Sequence, residues 1–506
     1  TVAGHHYALV LVEGLAPDSS TPYEVRLDGE IAWPLRDSPR PHCRIRTLAG
    51  DRPVRISFGS CRYATAAAVP DDDHFDADSL ACYARATAAL DEDEWPDAFL
   101  MLGDQVYADE TSEATKRRIR ARRDITTGSG DQVADFEEYT WLYAESWTDP
   151  DVRWLMSTVA TSMIFDDHDV RDDWNTSHSW REDMKEKSWW QERIVGALSS
   201  YWVYQHLGNL GPAELAENDL YQRVRAGDGD VEAALREFAA AADREADGAK
   251  GTQWSYRRDF GRVRLIMIDS RCGRILAEGS RSMISESEFD WINKQVRGDY
   301  DHLLVGTSLP WLLPRALHDI ESWNEVLCSG ARGTRVARWG EKMRRAADLE
   351  HWASFRKSFN LLAALLAAVG RGERSDAQGQ PPATICVLSG DVHHAYVAQA
   401  HYPEPVDAKV YQLTCSPLHN YVPRAMKVAF RVSWSRAAER ATRRILGLVA
   451  KMPPMTIEWS RESGPYFGNE VATLVLDGRR ADVVLQRSAP SNVSAELIEV
   501  ARVRLS

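Results

Sequence analysis

The chain has 506 residues, 44% hydrophobic and 27% charged, with a formal net charge of -14. That length exceeds what one core organises, and the composition excludes a disordered or fibrous protein. A surplus of negative charge repels polyanions, so no specific nucleic-acid partner is expected.

Seven cysteines are spread along the chain without a CxxC pair. That pattern suggests neither a disulfide framework nor a thiolate zinc module and fits a reducing compartment. The longest apolar run, around Leu361 to Val369, is about half a membrane span, and the chain starts at Thr1 with no basic, apolar leader. A cytoplasmic location is the expectation, although a leader already removed would leave no trace.

Tyr7 to Val12, Tyr23 to Leu27 closed by Asp28-Gly29, and Arg44 to Leu48 read as strands. Gly14-Leu15-Ala16-Pro17 followed by Tyr23-Glu24-Val25-Arg26-Leu27 resembles the tyrosine-corner region of a fibronectin type III sandwich. Residues 1-50 are therefore expected to form a partial β-sandwich module, completed by upstream chain or by strands lent from elsewhere.

Residues 51-506 are expected to form the second domain. Short apolar runs alternate there with long helical stretches, the mark of an α/β architecture. The runs are Val54 to Phe58, Ala98 to Leu102, Val159 to Phe165, Val263 to Ile268, Leu303 to Val305 and Thr384 to Leu388. Amphipathic helices are expected over Asp183 to His206, Val231 to Ala246 and Arg338 to Val369. Pro423 to Lys451 carries Arg424, Lys427, Arg431, Arg436, Arg440, Arg443, Arg444 and Lys451 against one acid, Glu439. This basic helix is expected to pack over the sheet with a solvated face, the alternative being contact with an anionic membrane. Val471 to Leu476 and Ala481 to Leu485 close the domain as a β-hairpin around Asp477-Gly478.

In open α/β sheets ligands bind beyond the carboxyl ends of the strands. Five strand exits here carry reactive groups: Gly59-Ser60-Cys61-Arg62, Gly103-Asp104-Gln105-Val106-Tyr107, Asp166-Asp167-His168-Asp169, Asp269-Ser270-Arg271 and Ser389-Gly390-Asp391-Val392-His393-His394. Each has a bland reading as a turn former, helix cap or small buried hydrophobe. Together the carboxylates would repel one another unless a cation neutralised them.

Gly103 to Asp109, Phe165 to Val170 and Ser389 to His394, in that order and spacing, resemble the signature segments of the PhoD-like alkaline phosphatases of the calcineurin-like metallophosphoesterase superfamily. The resemblance covers roughly residues 54 to 420. It implies a β-sandwich core of mixed sheets flanked by helices, and hydrolysis of phosphate mono- or diesters by a metal-activated hydroxide. It also implies a ferric site of Cys61, Tyr107 and His393, bridged by Asp104 to a calcium site completed by Asp167 and Asp391. Ligand chemistry agrees, because thiolate, phenolate and imidazole suit a transition metal and an all-oxygen set suits a hard cation. Zinc or manganese is less favoured; Asp172 and Asp173 offer a further calcium position.

Asp104 and Tyr107, three apart in a turn, can reach one ion, whereas His393 and His394 alternate sides, so only His393 is expected to ligate and His394 to face substrate or an outer layer. His168 resembles the family's catalytic histidine and is expected to act as acid or charge stabiliser at the leaving group. Arg62, Arg171 and Arg271 lie near strand exits and are candidate phosphate contacts, the alternative being neutralisation of neighbouring aspartates. The expected substrate is a small or polymeric phosphate ester and the expected state a monomer. Competing readings are a non-catalytic, metal-stabilised binding module and a peripheral membrane protein acting on phospholipid head groups.

Overall fold

The computed structural model describes residues 1–48, 50, 52–64, 76–247, 251–376, 380–489 and 496–506. Two mixed sheets form its centre. The first runs Glu458–Tyr466, Ala395–His401, Lys409–Thr414, Thr384–Ser389, His302–Gly306, Val263–Met267, Tyr256–Phe260 in spatial order. The second runs Leu497–Arg504, Arg480–Ser488, Glu470–Asp477, Val54–Gly59, Ala98–Leu102, Ala160–Ile164.

Parallel pairing is confined to the middle of the first sheet and one side of the second. Parallel strands are covered on both faces, so their sequences are apolar throughout rather than alternating. Ala98–Leu102, Val263–Met267 and His302–Gly306 are buried at every position. Ile56, Leu100, Leu474, Leu265, Leu304 and Leu388, drawn from both sheets, share one core between the layers. Helix Arg356–Gly370 packs on the outer face of the first sheet, and Ser79–Ala88 with Pro150–Met156 on that of the second.

All six expected central strands are present, as is the closing hairpin, whose two-residue loop is Gly478-Arg479. Five strands of the two sheets fall outside that reading: Tyr256–Phe260, Ala395–His401, Lys409–Thr414, Glu458–Tyr466 and Leu497–Arg504. Gln412 in Lys409–Thr414 is fully buried, yet its amide donates to Ser389 Oγ and its oxygen accepts from the Trp311 and Leu312 N–H groups. A satisfied polar side chain costs little in a core but breaks the apolar run.

Three segments depart from expectation. Tyr7 to Val12 forms no strand, and the strands at the front of the chain make two two-stranded ladders, Ser20–Pro22 with Arg44–Arg46 and Val25–Leu27 with Glu30–Trp33. Tyr23 donates its hydroxyl to the Ser157 carbonyl. The boundary expected at 50/51 falls beside residues 49 and 51, which lie outside the described residues. The run Asp183 to His206 divides into His178–Lys185, Trp190–Tyr201 and a π-helical turn at Trp202–His206.

The run Arg338 to Val369 likewise divides, into Thr334–Ala346 and Arg356–Gly370, with Asp348 at φ 46° in the break. Periodicity continues through that break because Leu349, Trp352 and Phe355 are buried at near-helical spacing.

Leu474 is fully buried in the layer between the sheets. Leu474→Ala is expected to cost about 2–5 kcal/mol of stability, read as a lower urea midpoint with an unchanged slope.

Candidate metal centre

The carboxyl ends of both sheets meet at one rim. A Cβ on Gly390 would lie 1.8 Å from Ser60 Oγ, and one on Gly103 would lie 2.6 Å from Asp166 Cβ and 3.2 Å from Ser308 Cβ. Only glycine allows strand exits from the two sheets to approach this closely. Gly103 also has φ 109°.

Four residues at this rim hold positive φ despite bearing side chains: Cys61 (55°), Asp104 (53°), Asp391 (67°) and His393 (49°). Left-handed backbone is uncommon for such residues and turns each side chain sharply out of its strand. The Cys61 thiol lies 3.2 Å from Asp104 Oδ2 and 3.8 Å from the Asp391 carbonyl. Carboxylate oxygens of Asp104, Asp166, Asp167 and Asp391 all lie within 4.8 Å of one another. Asp167, His168 and Asp172 form a second such group.

One guanidinium answers part of this charge. Arg271 is fully buried and engages Asp166 through Nε, Asp167 through Nη2 at 3.0 Å and Glu350 through Nη1 at 2.6 Å, with Asp391 at 3.9 Å. Asp104 receives no arginine among the described residues, and its Oδ1 is buried without a hydrogen-bond partner. Burial pushes the Asp104 carboxyl well up, His168 offsets part of that, and Asp166, Asp167 and Asp169 push it further. Burial likewise raises the Cys61 thiol, with Asp104 and Asp391 adding to it. A cation beside Asp104 would meet both needs, so the residues fit a metal.

Two further aspartates shape the rim. Asp169 accepts backbone N–H bonds from Asp104, Gln105, Val106 and Asp166, and Asp269 accepts them from Arg271, Cys272 and Gly273. Both act as turn formers.

Tyr107 and His393 are linked by a residue the sequence reading passed over. Asn420 Nδ2 donates to Tyr107 Oη at 2.9 Å and lies 3.3 Å from His393 Nε2. Burial depresses His393 to about 4, leaving a neutral imidazole suited to ligation. Asn420 follows the exit of Lys409–Thr414, so the strand-exit rule reaches it only once that strand is recognised.

His351 was also passed over. Its Nε2 lies 2.9 Å from Asp391 Oδ2 and its Nδ1 2.7 Å from Glu321 Oε1. Burial pushes the Asp391 carboxyl up, but the hydrogen bond and charge of His351 outweigh it and leave it below its ordinary value. His351 and Glu350 come from the break in the expected long helix, where no strand-exit signal exists.

His168 packs against Tyr107 with ring centroids 4.6 Å apart and the planes tilted by 34°, and its Nδ1 lies 3.0 Å from Asp109 Oδ1. Burial opposes its charge, yet Asp109, Asp167 and Asp104 hold the imidazolium well above its usual range.

Two expected substrate contacts are turned away. Arg62 is buried, donating to Asp78 and Ser146, because its side chain points behind the strand exit into the helical layer. His394 is fully buried and stacks near Tyr396, Phe430 and Phe467, with Nδ1 bonded to the Val392 carbonyl. Arg171 is half-buried and donates to Gln132 Oε1. Arg271 pairs with carboxylates.

Residues 73–446 match the PhoD-like phosphatase family, and residues 1–45 match a domain of unknown function, DUF7800. No curated protein matches the chain. A solved structure described as "Structure of PhoD" is similar over 97% of this chain and 78% of its own, with a TM-score of 0.53 and 11% identity, a likeness of fold.

Removing the Asp104 charge should separate metal binding from folding. In chelator, Asp104→Asn is expected to melt no lower than wild type, because an unpaired buried carboxylate is gone. On adding divalent or ferric ions, wild type should gain at least about 1 kcal/mol and the variant markedly less. Equal gains in differential scanning fluorimetry would contradict a metal at Asp104.

Proposed function

This chain belongs to the PhoD-like phosphatase family, and from that premise we propose that it hydrolyses phosphate mono- or diesters at a mixed centre of ferric iron and calcium. The observation that carries the reading is the Asp104 carboxylate, buried between the Cys61 thiol and three other aspartates with one oxygen unpartnered.

In this reading Cys61, Tyr107, His393 and Asp104 would hold the iron, and Asp104, Asp167 and Asp391 would hold the calcium. Support for the split comes from the donors, soft and aromatic on the Cys61 side and oxygen alone on the other. When bound, the cations supply Lewis acidity and bring a water's pKa toward neutrality.

The remaining work falls to the chain. Asn420 fixes the Tyr107 hydroxyl against the His393 ring, and His351 fixes Asp391; such supporting hydrogen bonds hold ligands in orientation. Arg271 balances Asp166, Asp167 and Glu350, so that the rim folds before cations arrive. His168, held by Asp109, stays protonated beside Asp167 and donates to the departing ester oxygen.

Purified protein is expected to contain iron and calcium and to cleave p-nitrophenyl phosphate or its bis ester, with exhaustive chelation abolishing turnover. Cys61→Ala should lose iron and Asp391→Ala calcium. Zinc alone by elemental analysis, or full activity after chelation, rules out the mixed centre.

An acid at the leaving group matters most when that group is a poor one. His168→Ala is expected to slow alkyl phosphate esters by about 100-fold or more and p-nitrophenyl esters much less. Equal losses on both would make His168 a positioning residue for Asp167.

A further inference from the structure

The segment from Pro423 to Lys451 forms two helices, Arg424–Ser433 and Arg436–Val449, each too short to cross a membrane. Their inward faces are occupied. Phe430 stacks on His394 at 4.4 Å, Arg443 pairs with Asp319 at 3.1 Å, Glu439 with Arg315 at 2.8 Å, and Leu446 packs near Trp323 and Leu327. Glu439, Arg443, Leu446 and Ala450 recur at helical spacing, so packing already accounts for that stripe.

The outward faces are not polar. Met426, Val428 and Val432 on the first helix are about half exposed, and Ile445, Leu448 and Val449 on the second include Leu448 at 86%. Ile445, Leu448 and Val449, at i, i+3 and i+4, form one stripe. A purely solvated face has no use for so many large apolar groups.

Charge decides what covers them. The segment carries eight Lys or Arg against Glu439 alone, on a chain of net charge -14. A second copy would bring the same basic face against itself, and like charges would oppose that contact. Beside the helices lies a cleft of about 640 Å³ lined by Arg436, Arg440 and Arg461 along with Trp434 and His401. Arg315 in that cleft is taken up by Glu439 and Glu458, whereas Arg436, Arg440 and Arg461 form no ion pair among the described residues.

We propose that these two helices and the arginine-lined cleft dock onto an anionic lipid bilayer, with Ile445, Leu448, Val428 and Val432 entering the interface and Arg436, Arg440 and Arg461 taking head-group phosphates. Exposed apolar side chains ringed by arginines are what an interfacial amphipathic helix requires. Docking does not depend on the phosphoesterase reading and is measured without turnover.

The test is sedimentation of the full chain with vesicles of phosphatidylcholine alone and of phosphatidylcholine with phosphatidylglycerol. Binding is expected to the anionic vesicles only and to fall as salt rises. Ile445→Glu/Leu448→Glu and Arg436→Ala/Arg440→Ala should each bind about tenfold or more weakly, while their thermal unfolding midpoints stay close to that of wild type, which reports folding. Equal sedimentation with both vesicle types, none at low salt, or wild-type binding by the apolar variant overturns the proposal. So does a wild-type dimer in light scattering that Ile445→Glu/Leu448→Glu converts to monomer, since a second copy would then own the face.

Discussion

Repulsion among carboxylates is the constraint around which this molecule is arranged. Asp104, Asp166, Asp167 and Asp391 come from three strand exits in two sheets, and their oxygens crowd within 4.8 Å. Such a cluster is costly in a low-dielectric interior unless positive charge is supplied. Arg271 supplies some from within the chain, reaching three acids from a fully buried position. Asp104 lies beyond that guanidinium, which makes it the natural seat of a cation.

The rest of the rim serves the same end. Left-handed backbone at Cys61, Asp104, Asp391 and His393 turns their side chains sharply out of the strands they follow. That strain is tolerable because Gly103 and Gly390 let the two sheets close on one another and because Asp169 and Asp269 pin the loops through backbone hydrogen bonds. Histidines are sorted by surroundings: His168 and His351 sit beside carboxylates and hold their protons, while His393, held to about 4 by burial, gives its proton up. One residue type thus serves as cation, orienting group and neutral donor.

The carboxylate rim and the helices of Pro423 to Lys451 carry opposite charge. Acid gathers at the sheet edge and base on an outer layer that touches the edge through Phe430 and His394.

The sequence alone determined the six central strands, their exits and the α/β class, because parallel strands buried on both faces must be apolar and chemistry at their carboxyl ends stands out against them. It also placed Cys61, Asp104, Asp167, Asp391 and His168 on those exits. Only tertiary structure decided which way each side chain turns. Arg62 and His394 follow the same exits as Cys61 and His393, yet face the helical layer and an aromatic stack. His351 and Glu350 reach the rim from a helix break, and Asn420 from a strand hidden by its buried glutamine. Periodicity records burial, not direction, and contacts between residues hundreds of positions apart leave no local mark on the chain.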